Sequence, residues 1–259
     1  MNLDAFLSPT DSARAQHTLA KLGSHSLSPF VLTGGLAIEA HLACRGIPPA
    51  SRPLNDVDFL VDSFDQISPS LATQFIFRHV HPEDAPGKTL LQCVDPETSV
   101  RVDIFRAYGR TTARSVPIEI HGTPWRMISI EDLAARTARL CLDLAFDTPL
   151  PAKHARDFLR LLPHADLDRM QPVWIEHRKP NHPEFFWDTA SKLTELIAAR
   201  PELQIDIVYS QDLDAPAPVV TIAAHSFWPK PGRFIRCSAI ARKCCLDACS
   251  PRPTLQADE

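Results

Sequence analysis

The fold can be read outward from the segment Phe30-Val31-Leu32-Thr33-Gly34-Gly35-Leu36-Ala37. Only 8 of the 259 residues are glycine, and Gly34-Gly35 is the one place in the sequence where two glycines are adjacent. The pattern predicts a short strand over residues 30–32, a turn at the glycines, and a helix over residues 36–43 that ends before Gly46. A strand, a glycine turn and a helix in this order are typical of an α/β fold.

Two later segments carry aspartates at alternating positions. Asp56-Val57-Asp58-Phe59-Leu60-Val61 alternates like a half-buried strand, so Asp56 and Asp58 share one face and the apolar residues Val57, Phe59 and Val61 share the other. In residues 99–105 the same alternation places Arg101, Asp103 and Phe105 opposite the β-branched side. The sequence therefore predicts that three carboxylates can meet on one side of a sheet.

Three such carboxylates form the arrangement that divalent ions need for in-line attack on a phosphate. Hard oxygen ligands suit Mg²⁺, and two ions about 3.5 to 4 Å apart can stabilise both the attacking and the leaving oxygen. The glycine turn could bind the phosphate itself, because backbone N–H groups at the start of a helix attract phosphate oxygens. A glycine pair alone indicates only a turn, and Asp-x-Asp alone is common on a solvated sheet face. Their order in the chain favours a site for metal and phosphate.

The rest of the pattern predicts an α/β (α+β) protein, with a small mixed twisted sheet flanked by helices and then a helical C-terminal part. Further strands are expected over residues 75–80, 89–94 and 100–105, and a hairpin about Gly122. Helices are expected over residues 10–22, 63–74, 129–144, 153–162 and 183–199, the first capped by Thr10 or Asp11. Two short strands, over 204–209 and 219–223, have no assigned role. We expect an α/β domain over residues 1–128, a mainly helical domain over 129–224, and a tail over 225–259.

Composition excludes several classes of protein. With 44% hydrophobic and 22% charged residues the chain can build a sizeable core, which argues against disordered and fibrous proteins. The sequence shows neither a long apolar run nor the basic and apolar regions of a signal peptide, so we expect a cytoplasmic protein with no membrane partner.

The tail differs from the rest of the chain in charge and in cysteine content. Residues 225–259 carry six basic and three acidic side chains, whereas the net charge of the whole chain is −4. Zinc and nucleic-acid binding by His225 and four cysteines is one interpretation, but the spacing lacks the paired Cys-x2-Cys of a typical zinc site. A basic tail with free thiols is the favoured alternative; the cysteines concerned are Cys237, Cys244, Cys245 and Cys249.

These pieces resemble the nucleotidyltransferases of the polymerase-beta type, and most closely the small bacterial members that begin with strand, Gly-Gly and helix. The resemblance covers roughly residues 28–162 and is carried by five segments: Thr33-Gly34-Gly35-Leu36-Ala37, Asn55-Asp56-Val57-Asp58-Phe59-Leu60, Arg101-Val102-Asp103-Ile104-Phe105 and, more weakly, Ser129-Ile130-Glu131-Asp132-Leu133 and Lys153-His154-Ala155-Arg156-Asp157-Phe158.

The resemblance implies transfer of a nucleoside monophosphate from a nucleoside triphosphate, such as ATP, to an acceptor hydroxyl, with pyrophosphate leaving. It implies two Mg²⁺ ions, with Mn²⁺ as an alternative, held by Asp56, Asp58 and Asp103, and Asp103 would help to deprotonate the acceptor hydroxyl. The groups implied to contact the nucleotide are Gly34, Gly35, Arg52 and Lys153. Arg136 stands near the place where related proteins often carry a phosphate-binding lysine, and a guanidinium is a different shape of donor.

Several alternatives stay open at this point. His41 is more typical of a helix-packing or surface histidine than of a site residue, and Arg45 is as well explained by a solvated loop. The same residues also fit a non-catalytic nucleotide-binding or regulatory module, or a toxin-like enzyme that acts on RNA. The acceptor can be a small molecule, an RNA or a protein, since the three acids are compatible with each. The oligomeric state is likewise open.

Overall fold

The computed structural model describes residues 1–48, 50, 53–78, 90–147, 152–200 and 221–222. Within these residues the strands are β1 (Val31–Thr33), β2 (Asp56–Val61), β3 (Ile76–Arg78), β4 (Leu90–Val94), β5 (Arg101–Arg106), β6 (Val116–Ile120), β7 (Thr123–Met127) and β8 (Thr221–Ile222). The α-helices are α1 (Pro9–Gly23), α2 (Gly34–Ala43), α3 (Ile130–Asp147), α4 (Ala152–Leu161), α5 (Leu167–His177) and α6 (Phe186–Ala198).

The strands form one mixed sheet in the order β6-β7-β1-β2-β5-β4-β3, to which the two-residue β8 adds at the β3 edge. The pairs β1–β7 and β2–β5 are parallel, and the other pairs are antiparallel. The expected fold class, a mixed sheet flanked by helices with a helical part after it, is confirmed. The two central strands, β2 and β5, are those that carry the three aspartates.

The core lies under the apolar face of β2. Val57, Phe59 and Val61 are completely buried, as the alternation of the strand predicts. Phe59 packs edge-on against Phe30 and stacks on Trp125, with both pairs of ring centroids 5.4 Å apart. Burying a side chain of this kind stabilises a fold by about 1.5 to 3 kcal/mol, so β2 is firmly held with its acidic face turned away from the core.

Some local expectations need correction. Ser8, rather than Thr10 or Asp11, caps α1, because its Oγ accepts the backbone N–H of Asp11 at 3.1 Å. Residues 63–74 form two 3-10 helices, Phe64–Gln66 and Pro69–Thr73, instead of one helix. Ser63 caps the first and Ser68 caps the second. Pro69 is tolerated at the start of the second helix, whereas it would disrupt the interior of one continuous helix.

Helix α5 was not among the helices expected from the sequence, and Pro172, a residue that disfavours a helix interior, lies inside it. Asp166 caps its start by accepting the backbone N–H of Asp168, and Trp174 buries its ring against Phe186 and His182. Packing of this aromatic group outweighs the hydrogen bond that proline cannot donate.

A partly buried network of charges, centred on the fully buried Asp132, ties α3 and α5 to the segment between β5 and β6. Arg114 donates to both oxygens of Asp132, at 2.9 and 2.7 Å, and to the carboxylate of Glu176 at 3.0 Å. The Nε2 of His177 lies 2.8 Å from the same Asp132 carboxylate. Burial alone would raise the pKa of Asp132, but hydrogen bonds from Arg114, His177 and Ser129 hold it well below its usual range. The helices are thereby fixed against the end of the sheet.

Parts of the sequence interpretation fall outside the described residues or stay untested. The possible strand at 204–209 and the cysteine-containing tail lie outside them, whereas Thr221 and Ile222 do pair with β3. The division into domains at residue 129 stays a prediction. Among the described residues, no helix combines the length and apolar character needed to cross a bilayer.

Candidate functional site

The register of the two central strands brings the three aspartates together. Strands β2 and β5 run parallel, and their register places Asp58 directly opposite Asp103 and Asp56 opposite Arg101. One carboxylate oxygen from each aspartate can be chosen so that all three lie within 4.8 Å of one another. The sequence predicted that the acids lie on one face of the sheet. The strand register shows in addition that they are neighbours on that face.

Gly34 lies against the carboxylate of Asp58. Its φ is +67°, in the left-handed region, and a Cβ at this position would lie 1.8 Å from Asp58 Oδ2 and 2.8 Å from Asp58 Cβ. Both observations exclude any larger residue in this conformation. The turn therefore requires glycine for two reasons: the direction of the chain entering α2, and the close approach of the backbone to an acid.

A cavity of about 320 Å³ opens beside the glycine turn and the acids. Gly35 at the start of α2 lines it, together with side chains from α3 and α4. The polar residues at its wall include Thr33, Glu39, Asp56, Asp58, Asp103, Arg136, Thr137, Lys153, His154 and Asp157, and the apolar ones include Phe6, Leu7, Leu36, Leu54, Phe105, Leu133 and Leu140. The site thus combines an acidic end with apolar walls, as small-molecule sites commonly do.

Two neighbours hold the acids in place. Gln92 on β4 is opposite Asp103 and donates to its Oδ1 at 2.7 Å. Arg101 pairs with Asp56, and its Nε lies 3.4 Å from Asp103 Oδ2. One oxygen of Asp103 therefore accepts a hydrogen bond from an amide, and the other lies in an ion pair with a guanidinium.

Burial, and then the neighbouring charges, change the acidity of two of these carboxylates. Burial, together with the charges of Asp56 and Asp103, raises the pKa of Asp58 to about 7 against the opposing effect of Arg136. Burial also raises the pKa of Asp103, against the lowering effects of Arg101 and Gln92. A cation bound among these groups would favour their ionised forms.

The donor set fits a hard divalent cation. It consists of carboxylate oxygens alone, the ligands that Mg²⁺ and Mn²⁺ prefer, whereas zinc sites usually include nitrogen or sulfur. The missing side chain at Gly34 leaves the Asp58 carboxylate in contact with backbone instead of covering it with a Cβ. Asp56, Asp58 and Asp103 are the residues that could hold the ion.

Three of the four residues predicted to contact the nucleotide line the cavity, and the fourth lies outside the described residues. Gly34, Gly35 and Lys153 line the cavity, and Lys153 is exposed on α4. Arg52 lies outside the described residues. Arg136 also lines the cavity, where it donates to Thr33 Oγ1 at 3.2 Å and lies over the ring of Phe105, 5.0 Å from its centroid.

His41 and Arg45 do not line this cavity. His41 is 5% exposed, and its Nε2 donates to the backbone carbonyl of Ile128 at 2.7 Å, which fixes α2 to the end of β7. Chiefly because it is buried, its pKa is lowered. Arg45 donates to the backbone carbonyl of His41 at 3.0 Å. The interpretation of His41 as a helix-packing residue agrees with this geometry.

Two buried residues near the site were missed from the sequence. Gln92 gave no signal, because only the pairing of β4 with β5 reveals that it faces Asp103. Glu39 on α2 is completely buried, accepts from Arg160 at 2.6 and 2.9 Å, and accepts the backbone N–H of Ala50 at 2.9 Å. Its position in an apolar helix was the available signal, since a buried carboxylate requires a partner.

Solved structures similar to this chain include three proteins. An antigenic nucleotidyltransferase-like protein from Paracoccidioides brasiliensis has 15% identity and a TM-score of 0.41, over 79% of this chain and 92% of that one. The antibiotic-resistance factor ANT(2'')-Ia has 13% identity and a TM-score of 0.39, over 74% and 94%. JHP933 from Helicobacter pylori has 16% identity and a TM-score of 0.38, over 76% and 96%.

No protein-family model matches the sequence, and no curated protein matches it significantly. Identities and TM-scores as low as those of the solved structures carry no argument about activity. The residues of the site are what indicate a function.

Proposed function

We propose that the protein is a divalent-metal-dependent nucleotidyltransferase that moves a nucleoside monophosphate from a nucleoside triphosphate to an acceptor hydroxyl. The observation that carries this proposal is the meeting of three carboxylates, from Asp56, Asp58 and Asp103, beside a glycine turn that opens a helix onto a cavity. Acids for a metal and backbone N–H groups for phosphate are the two halves that phosphoryl transfer requires.

Each group at the site has a distinct task in this reaction. Bound Mg²⁺ would neutralise charge on the phosphate and on the attacking and leaving oxygens. Asp56 and Asp58 on β2 and Asp103 on β5 would hold it, with Gln92 keeping the Asp103 carboxylate in a fixed orientation. The backbone at Gly34-Gly35 would approach the triphosphate, because no side chain intervenes there.

The bonds that change are those at the α-phosphorus. The acceptor oxygen forms a bond to it, the bond to the bridging oxygen of the β-phosphate breaks, and pyrophosphate leaves with that electron pair. The hydroxyl proton passes to Asp103. Arg136 and Lys153 supply positive charge at the cavity wall, where they would attract the triphosphate.

The test is release of pyrophosphate from each of the four common nucleoside triphosphates with Mg²⁺, over a panel of small-molecule, RNA and protein acceptors. Asp58→Asn preserves shape and removes the charge, so we expect turnover to fall by about a hundredfold or more. The matched control is Asp168→Asn on the exposed start of α5, which should leave the rate unchanged.

Three outcomes separate the candidate functions. Turnover that requires Asp58 supports the proposal. Nucleotide binding that depends on Mg²⁺ in calorimetry, without turnover on any acceptor, would replace it with a non-catalytic binding module. If neither nucleotide nor metal binds, both functions are wrong.

A further inference from the structure

A positive side chain already lies among the three acids. Arg101 is on β5, two residues before Asp103 and directly opposite Asp56 in the parallel register. Its Nη2 pairs with Asp56 Oδ2, and its Nε is 3.4 Å from Asp103 Oδ2. The guanidinium therefore bridges the two strands, as an ion shared between Asp56 and Asp103 would have to do.

An ion could not easily enter beside this arginine. Mg²⁺ binds carboxylate oxygens at about 2.0 to 2.1 Å and tolerates little departure from octahedral geometry. Asp103 cannot simply turn to offer its other oxygen, since Oδ1 accepts a buried hydrogen bond from Gln92 at 2.7 Å. Turning it would leave the Gln92 amide without that partner, at a cost typical of unsatisfied buried groups.

The environment of the arginine allows it to leave. The Arg101 side chain is 25% exposed, between the 30% of Asp56 and the 9% of Asp103, and it is much the longest of the three. A long, flexible side chain that is partly exposed can rotate toward water, but the strand-bound carboxylates cannot move apart without disturbing the sheet. Of the two partners, the arginine is the one that can be exchanged.

We propose that Arg101 is an exchangeable counter-ion built into the metal site, so that its guanidinium and a divalent ion shared by Asp56 and Asp103 exclude each other. This role rests on the metal site of the proposed function, and it specifies when a divalent ion can bind there. In the protein without nucleotide, Arg101 keeps the affinity for divalent ions low, and an ion enters between β2 and β5 only when Arg101 swings away.

The experiment is calorimetric titration of MnCl₂ into the full-length protein without nucleotide. Arg101→Gln removes the charge and should increase the affinity for Mn²⁺ at least about tenfold, since a competing cation a few ångströms away is lost. Arg106→Gln removes the same charge from the other end of β5 and should change the affinity less than about twofold. Combining Arg101→Gln with Asp103→Asn should abolish the gain, because the freed ligand is lost as well.

A second variant keeps the test decisive if Arg101→Gln does not fold. Arg101→Lys keeps one charge but cannot bridge two carboxylates with a planar fork, so it should bind Mn²⁺ more tightly than wild type and less tightly than Arg101→Gln. Circular dichroism identifies which variants are folded. A purely structural arginine predicts lower stability with unchanged or weaker Mn²⁺ binding, and that result would overturn the role of Arg101 while leaving the metal site standing. If none of the folded proteins binds Mn²⁺, the metal site itself is wrong.

Discussion

Replacing Gly34 with alanine tests the central contact of the site. The backbone there has a φ of +67°, and the new Cβ would lie 1.8, 2.6 and 2.8 Å from Oδ2, Cγ and Cβ of Asp58. Rotation of the Asp58 side chain can move Oδ2 and Cγ, but its Cβ is fixed by the backbone of β2. Relief therefore requires the β1–α2 turn or β2 itself to shift.

The expected cost can be divided into two parts. An alanine in the left-handed region costs about 1 to 2 kcal/mol, whatever surrounds it. Forcing a methyl group into filled space typically adds about 1 to 3 kcal/mol. We therefore expect Gly34→Ala to lower the free energy of unfolding by about 2 to 5 kcal/mol. The accompanying shift of the Asp58 carboxylate should lower turnover about a hundredfold, since misplacements near 1 Å have effects of that size.

Gly122 provides a matched control. Its φ is +77°, and a Cβ added there meets nothing within 4 Å. Gly122→Ala should thus show the backbone cost alone, about 1 to 2 kcal/mol, with unchanged turnover. Urea unfolding at pH 7 measures both variants, and pyrophosphate release measures the site.

A double-mutant cycle identifies the partner. If the clash is with Asp58, Asp58→Gly combined with Gly34→Ala should be less destabilised than the sum of the two single changes. The reasoning is refuted if Gly34→Ala and Gly122→Ala lose equal stability, or if the two changes at Gly34 and Asp58 are additive. Either result would mean that the turn needs glycine only for its backbone angle.

Two other predictions concern the partners of the acids. Gln92→Leu removes the amide that orients Asp103 and should weaken Mn²⁺ binding by about 10- to 100-fold, measured by calorimetry; an unchanged affinity would show that Asp103 needs no such support. The second concerns pH. Folding lowers the pKa of Asp132 from its unfolded value of about 4. The Asp132 carboxylate therefore stabilises the fold fully above about pH 4, and this stabilisation declines as the pH falls below that value. Wild type should therefore exceed Asp132→Asn in urea-unfolding free energy at pH 7, and the difference should shrink below about pH 4; a difference that stays constant down to pH 2 would contradict the role of the Arg114 and His177 contacts.

Sequence reasoning reached the fold class and the local alternation, because both depend on short-range patterns. The period of two in β2 correctly separated buried Val57 and Phe59 from the acidic face. It could not supply the register of β2 against β5, since nothing local specifies which residue of one strand lies opposite which residue of another. The contact between Arg101 and Asp56 follows from that register alone.

Helix α5 and residue Gln92 show two further limits. Pro172 is a strong local signal against a helix, and it is overridden by the packing of Trp174, a tertiary effect that no local window contains. Gln92 lies in a strand that was expected, but its meaning depends on its neighbour Asp103 across the sheet. Residues that support a site are harder to predict than residues that form it, because their identity is set by distant partners.

The features of this site are connected by the cost of bringing three acids together. Their parallel register concentrates negative charge in a buried place, and burial together with the charges of Asp56 and Asp103 raises the pKa of Asp58 to about 7. Nothing in the packing of the core demands this arrangement, since the acids occupy the face of β2 opposite to Val57 and Phe59. A sheet selected for stability alone would place neutral residues there. The close approach of Gly34 and the guanidinium of Arg101 both serve this arrangement: the glycine makes room for the Asp58 carboxylate, and the arginine balances the charge of Asp56 and Asp103, the role in which we propose that a divalent ion replaces it.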